Sequence, residues 1–426
     1  MKKVIIIAMI FIVISALTIL GVYIYHDIKL KEQKEIIQDD IKKRNQDVEN
    51  KKLEIKNQEN AEKRNEIIKE AEVLFKGYYV DEAIDLLKSN KELINDEVSK
   101  IIEEYTKYKN DYVLYEGTVQ HIFFHSLILY PEYVFRDITV PTGGYNEGFS
   151  YKRELDRMLP LLLENNYVLY NIKDIYEKDE TGKMVRKDIY LPKDKKPLIL
   201  SVDDPALAYG KGFADQMIID ENGNLATKVI TPNNETIITY DGDVELVVNN
   251  FIKEHPEFSY RGARGIIATT GWEGFLGYDL ETEESRTKAK QVADKLKEEG
   301  WLFASHSYSH NRQNYFGPNS MPYNIQRDTT RWLNKMTPII GETNIFIAPF
   351  GYRLKGEGLN IVLNSGFDIY CTVASSSHEE IFDNYALMSR VEMGGYSYVW
   401  YKDYINKYLF DVSKVRDNYR PPLLNQ

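Results

Sequence analysis

From Tyr115 onward the chain repeats one alternation, a short apolar run followed by a longer amphipathic stretch. The runs fall at 119–125, 167–171, 197–203, 264–269, 301–305, 344–348, 367–373 and 386–391, and read as strands. Between them, 150–165, 243–254, 285–299 and 324–340 carry helical patterns. Gly300 marks a helix stop just before the strand "WLFAS". Only the last two runs lack a clear helix between them. This alternation predicts an α/β fold, a parallel (β/α) barrel of seven or eight strands. One segment breaks the rhythm. Residues 217–240, "MIIDENGNLATKVITPNNETIITY", alternate with period two about an Asn-Gly and predict an inserted β-hairpin.

The barrel leaves a long N-terminal region to explain. Two lysines precede an uncharged stretch from Val4 to Tyr25, about the 20 apolar residues that span a bilayer. "SALTILG" makes a poor cleavage site, so residues 4–25 are expected to stay as a membrane anchor. Lys29, Lys31 and Lys34 follow the span and blur the charge rule for orientation. A short N-terminus with a large C-terminal part places the bulk outside the cell membrane, giving a single-pass protein with an extracytoplasmic catalytic domain. The expected organisation is an anchor at 1–25, a charged helical stalk at 26–59, a helical hairpin adaptor at 60–112 and a catalytic domain at 113–426. Ile41, Val48 and Ile55 fall at heptad steps, but Arg44, Lys51 and Gln58 weaken that seam. "GYYVDEAIDLL" resembles one tetratricopeptide-type helix pair without a second copy, so a protein partner on the adaptor has no further support.

The bulk composition excludes some functions. A net charge of −11 argues against nucleic acid as a partner, which rewards an excess of Lys and Arg. The single cysteine, Cys371, excludes an intramolecular disulfide and any CxxC motif.

In such barrels chemistry gathers at the C-terminal strand ends. "LILSVDDP" finishes on Asp203 and Asp204, and "WLFAS" runs into His306 with His310 four residues on. That spacing puts both imidazoles on one side of a helix or a strand alike. "NIFIAPFGY" finishes on Pro349, Phe350 and Gly351, and "VQHIFFHSL" presents His121 and His125. Alone, HxxxH reads as a pair of hydrogen-bonded histidines, and Asp-Asp as a helix cap. Neighbours on an extended chain point opposite ways, so the two aspartates suit two tasks, one as metal ligand and the other as base. One Asp with two His is the donor set of an open, catalytic metal site. A metal there brings the pKa of water near 7, and a nearby carboxylate can take its proton.

"SVDDP" resembles the first motif, "HSYSH" the second and "APFG" the tail of the third motif of the polysaccharide deacetylases, the NodB-homology carbohydrate esterases. The resemblance covers roughly residues 117 to 410. It implies Asp203 as catalytic base and Asp204, His306 and His310 as ligands of a divalent metal, zinc first, with cobalt or nickel as alternatives. It implies removal of N-acetyl groups from amino sugars of a cell-wall or extracellular polysaccharide, an N-acetylated glycan polymer. Two departures stand out. Ile347 occupies the place of the third-motif Arg that orients the base, leaving Arg390 or Arg264 as substitutes. The late Leu-x-x-His of the family, source of the general acid, has no C-terminal match. Ile122 to His125 is similar to the permuted arrangement of biofilm-type poly-N-acetylglucosamine deacetylases, which makes His125 the expected acid.

Pro349, Phe350, Gly351 and Arg390 are the expected substrate-binding residues, with backbone N–H near Phe350 facing the oxyanion. His121 is expected to be buried structure and His378 a solvated loop residue. Of Trp272, Tyr278, Tyr352, Tyr396, Tyr398 and Trp400, one or two are expected to touch sugar and the rest to be core. The two departures also keep alive an inactive glycan-binding or scaffolding protein on the same barrel.

Overall fold

Seven of the apolar runs close into a ring of parallel strands in the computed structural model, which describes residues 1–205, 209–272 and 274–424. In chain order they are β1 (Gln120–Phe124), β2 (Lys196–Asp203), β3 (Ile266–Thr269), β4 (Leu302–Ser305), β5 (Ile345–Ile347), β6 (Ile369–Val373) and β7 (Ala386–Glu392). Each pairs with the next, and β7 returns to β1 through Val391 opposite Ile122 and Glu392 opposite Phe123. The eighth run, Tyr167–Leu169, lies outside the ring. It pairs with the first residues of β2 while β3 pairs with the last ones, which the eight-residue length of β2 permits.

Strand alternation divides the core in two. Ile199, Ile266, Ala268, Ala304, Ile345, Ile347, Ile369, Cys371, Ala386 and Met388 fill the barrel interior together. Their neighbours Leu198, Leu200, Ile267, Phe303, Phe346, Tyr370 and Leu387 face outward. There they meet Met158, Val248, Val292 and Trp332, from the helices Lys152–Glu164, Val244–Glu254, Glu283–Glu298 and Pro322–Ile340. Gly300 ends its helix as expected, at φ 101, a conformation that costs glycine little. Where no helix was legible between the last two strands, Glu379–Ile381 runs antiparallel against β7 instead.

The inserted hairpin is a three-stranded antiparallel meander, Ala214–Ile219, Leu225–Ile230 and Thr236–Thr239. The Asn-Gly turn forms with Gly223 at φ 81, and a second turn follows where Asn234 takes φ 65. Asn tolerates that left-handed conformation better than most residues, so "TPNNE" turns the chain without glycine.

The N-terminal region begins as one continuous helix, Lys2–Lys76, and among the described residues it holds the one segment long and apolar enough to cross a membrane. Two compact units are present, Met1–Ala71 with Leu86–Ser99, and Glu72–Asp85 with Lys100–Gln426. Within the first, Arg64 Nε donates to the Leu93 carbonyl at 2.9 Å. Within the second, Tyr78 is buried and its hydroxyl donates to the Glu257 carbonyl at 2.9 Å, while Arg261 pairs with Glu82.

Candidate active site

The parity that fills the barrel also aims its chemistry. Asp203 shares the inward parity of Ile199, and Arg390 that of Ala386 and Met388. Asp204 then breaks the alternation. Its backbone is left-handed at φ 52, so the two neighbouring carboxylates approach the same imidazole rather than pointing apart as an extended chain would require. His306 Nε2 lies 3.8 Å from Asp203 Oδ2 and 3.9 Å from Asp204 Oδ2.

The two histidines converge, but not through helix or strand geometry. His306 closes β4, and 307–310 form a loop with Ser307 at φ 61 and His310 at φ 44. Asp328, from the helix Pro322–Ile340, holds that loop by accepting from the N–H groups of Tyr308 at 2.7 Å and Ser309 at 3.0 Å. His310 Nε2 reaches to 3.4 Å from Asp204 Oδ2. Ligand atoms of Asp204, His306 and His310 all lie within 4.8 Å of one another.

These donors fit a divalent metal. His306 Nδ1 is 2.7 Å from the Ile347 carbonyl, a contact that places its proton there and leaves Nε2 as a lone pair facing the aspartates. Burial lowers the pKa of His306, and that of His310 to about 4, against the opposing pull of the aspartates. Both imidazoles are therefore neutral at pH 7. Two neutral nitrogens and one carboxylate form an open three-ligand set suited to zinc-like ions.

Ile347 thus contributes its carbonyl, and the guanidinium comes from across the barrel. Arg390 is fully buried on β7 and grips Asp203 with two parallel bonds, Nη1 to Oδ1 at 2.7 Å and Nη2 to Oδ2 at 2.9 Å. Nη1 also donates to Ser201 Oγ at 3.0 Å, and the guanidinium lies 4.1 Å over the Phe123 ring. Burial would raise the pKa of Asp203, but the charges of Arg390 and His306 and the bonds from Arg390 outweigh it. The carboxylate is held well below its usual range. Arg390, expected among the substrate contacts, reaches no solvent because both forks are engaged inside the barrel. Arg264 is elsewhere, bonded to Asn249 and Ser259 ahead of β3.

His125 stands one residue beyond β1. Its Nδ1 lies 2.8 Å from the Gly148 carbonyl and 3.7 Å from Glu392, and its ring stacks on Phe149 at 4.9 Å. His125 is near enough for its charge to favour the ionised forms of both Asp203 and Asp204. His121 is buried beneath the Arg390 pair, with Nε2 3.0 Å from Ser201 Oγ. His378 is half exposed.

In the turn after β5, Pro349 is buried and Phe350 is 47% exposed, with its ring 4.3 Å from that of His310. Gly351 takes φ 65, and a Cβ there would press within 2.5 Å of Val373, so only glycine fits. Of the expected substrate contacts in this turn, Phe350 alone presents a broad side chain to solvent. Trp272, Tyr396 and Trp400 are exposed, whereas Tyr278 and Tyr398 are core. Sequence reasoning did not single out Glu392, Ser201 or Asp328. Inward parity with Arg390 and Asp203 points to the first two; no local pattern marks Asp328.

No family model and no curated protein matches the chain. Solved structures similar to it include a de-N-acetylase from Aggregatibacter actinomycetemcomitans, at 13% identity and a TM-score of 0.38, covering 66% of this chain and 96% of the other. A Streptococcus pyogenes deacetylase, PplD, solved with acetate, is 13% identical with a TM-score of 0.39, over 66% and 93% of the two chains. IcaB from Ammonifex degensii is 15% identical with a TM-score of 0.37, over 66% and 94%. At these values the likeness assigns no residue a role, and the reading below rests on the site itself.

Proposed function

We propose that the chain is a metal-dependent hydrolase that removes N-acetyl groups from amino sugars of a cell-wall or extracellular glycan, tethered to the membrane through residues 4–25 with its barrel on the extracytoplasmic side. The observation that carries this reading is the Asp204–His306–His310 cluster beside a separate, Arg-clamped Asp203 at the same mouth of the barrel. A ligand set and a separate ionised carboxylate side by side are what metal-assisted hydrolysis needs.

Asp204, His306 and His310 would hold the metal, zinc in the first instance. Bound there, a divalent ion supplies Lewis-acid polarisation of a carbonyl and acidifies water. Asp203, ionised across the physiological range, accepts the proton of the attacking water. The N–H groups of Gly351 and Tyr352 are engaged with Ala348 and Pro349 carbonyls, which leaves the Phe350 N–H to face a developing oxyanion. His125 orients Nε2 by holding its other nitrogen on Gly148, and donates a proton to the departing amine. Phe350 offers an apolar face beside the ligands for the flat acetamide group.

The test is acetate release by the detergent-solubilised full chain from N-acetylglucosamine oligomers and from peptidoglycan, with zinc or cobalt and then with chelator. Metal-dependent release that disappears in His306→Ala is the expected result. Glycan binding without release, with one metal bound per chain, would favour the inactive binding protein instead. The bidentate grip of Arg390 on Asp203 supports the active reading over that alternative.

A further inference from the structure

Residues 417–424 lie against the loop that orients His125. We infer that the C-terminal segment 417–424 is a strap that positions the general acid, and that Arg420 is its clasp. The inference rests on the deacetylase reading and deepens it.

Arg420 is 6% exposed, and its guanidinium is shared among three partners. Nε and Nη2 pair with the two carboxylate oxygens of the fully buried Glu154, at 2.7 and 2.6 Å. Nη1 donates to the Asn146 carbonyl at 2.8 Å and Nη2 to the Phe149 carbonyl at 2.5 Å. Those two carbonyls flank Gly148, whose own carbonyl meets His125 Nδ1. Phe149 also supplies the ring on which His125 stacks. One guanidinium therefore fixes the backbone on both sides of the contact that sets the imidazole's tautomer and direction.

The rest of the segment reinforces the loop. Asn146 Nδ2 donates to the Pro421 carbonyl at 3.0 Å, and the Thr142 N–H to the Pro422 carbonyl at 3.0 Å. Ser150 Oγ donates to the Met393 carbonyl at 2.7 Å. Gly395 completes the fit from below, since a Cβ there would collide with the Asn146 carbonyl. Glu154 reaches back to the Tyr151 and Asp417 N–H groups at 2.9 and 2.8 Å, tying loop and strap to one helix. The left-handed Gly144 and the short helix Tyr145–Gly148 have local support from Glu147, which accepts from the Gly144 N–H at 3.3 Å, and the strap adds to it from outside the loop.

A misdirected acid damages only reactions that need one. An amine leaving group requires a proton; the p-nitrophenolate of an aryl acetate does not. The informative variant is Arg420→Lys, which keeps a positive charge beside Glu154 but, with three donors on one nitrogen, cannot make the bidentate Glu154 pair and both carbonyl bonds. In the full chain loaded with zinc, kcat on N-acetylglucosamine oligomers should fall about ten- to a hundredfold, as expected for a displaced acid. Turnover of p-nitrophenyl acetate and the zinc affinity should each stay within about twofold, well inside a tenfold change in binding constant. In a His125→Ala background, Arg420→Lys should cost nothing more, because the group it positions is already gone. Parallel loss on both substrates, or an undiminished effect in the His125→Ala background, would overturn the strap and leave Arg420 as a structural residue. Equal and unchanged activity on both would overturn it too. Wild-type chain that cleaves the aryl ester but releases no acetate from any glycan would overturn the deacetylase reading itself.

Discussion

Asp203 keeps its charge in a place almost sealed from water because Arg390 meets it with two parallel bonds. Replacing Asp203 by Asn should abolish acetate release while zinc binding by Asp204, His306 and His310 survives; simultaneous loss of both, read by calorimetry and activity, would refute the division of labour between the two aspartates. Arg390→Met should raise the pKa of Asp203, since the favourable charge goes while burial stays. The base is active only when ionised, so the acidic limb of the rate profile should move to higher pH. A limb that stays in place would show that Asp203 is not the group it reports. Truncating one partner of a buried pair also costs about 3–5 kcal/mol, which a urea titration measures. The cluster of Asp204, His306 and His310 was legible in the sequence because its signals are local, four residues apart or adjacent at strand ends. It left Glu392 and Asp328 unseen because each acts on a residue far along the chain, across a strand pair or from a helix face. Asp203 and Asp204 do not point apart, and His306 and His310 converge through a loop rather than a helix or strand, because Asp204 and His310 take left-handed backbone, which no alternation rule anticipates.

Strand positions were legible to within a residue or two, and so was the helix stop at Gly300. The meander was not, because its second turn uses Asn234 in place of glycine. At this scale the helix Val244–Glu254 carries an unusual start. Asp243 caps it, accepting from Leu127 and Val244 N–H groups at 2.9 Å, while its second oxygen and both oxygens of the buried Glu245 have no partner among the described residues. Burial pushes Asp243 up to about 6 against the bonds it accepts, and burial together with the Asp243 charge raises Glu245 well above its usual range. A carboxyl with a raised folded-state pKa contributes stability fully below its unfolded value, near 3.8, and loses it as pH rises through the folded value. The domain should therefore weaken at this helix as pH rises from about 4 through about 6, with Glu245 extending the decline upward. Glu245→Gln should flatten that decline, with a higher urea midpoint at pH 8 and little change at pH 5. An equal shift at both values would mean that the ionisation is not the cause.

Across the whole molecule, the sequence separated anchor, stalk, adaptor and barrel by composition, whereas packing assigns Tyr78 and Glu82 to the barrel's own unit. Composition shifts report solvent exposure along a helix and are blind to a single buried tyrosine. Tyr78→Ala should cost the barrel about 3–5 kcal/mol, as for other large buried rings, and Tyr78→Phe about 1 kcal/mol for the lost hydrogen bond. Thermal unfolding of the full chain distinguishes them; equal effects would mean that the ring contributes nothing beyond its hydroxyl.

The ring itself is sealed by its first and last strands, through two residue pairs more than 250 positions apart in the chain. Contacts so distant in sequence carry the largest loop-closure cost and form late. The seam they make brings Phe123 and His125 on one side to Arg390 and Glu392 on the other. A nascent barrel still open there already holds the three proposed ligands, just beyond β2 and β4, yet has neither a clamped Asp203 nor His125 opposite it. On the proposed function, hydrolytic competence would be withheld until the last stitch, and a half-folded chain would bind metal without cutting anything.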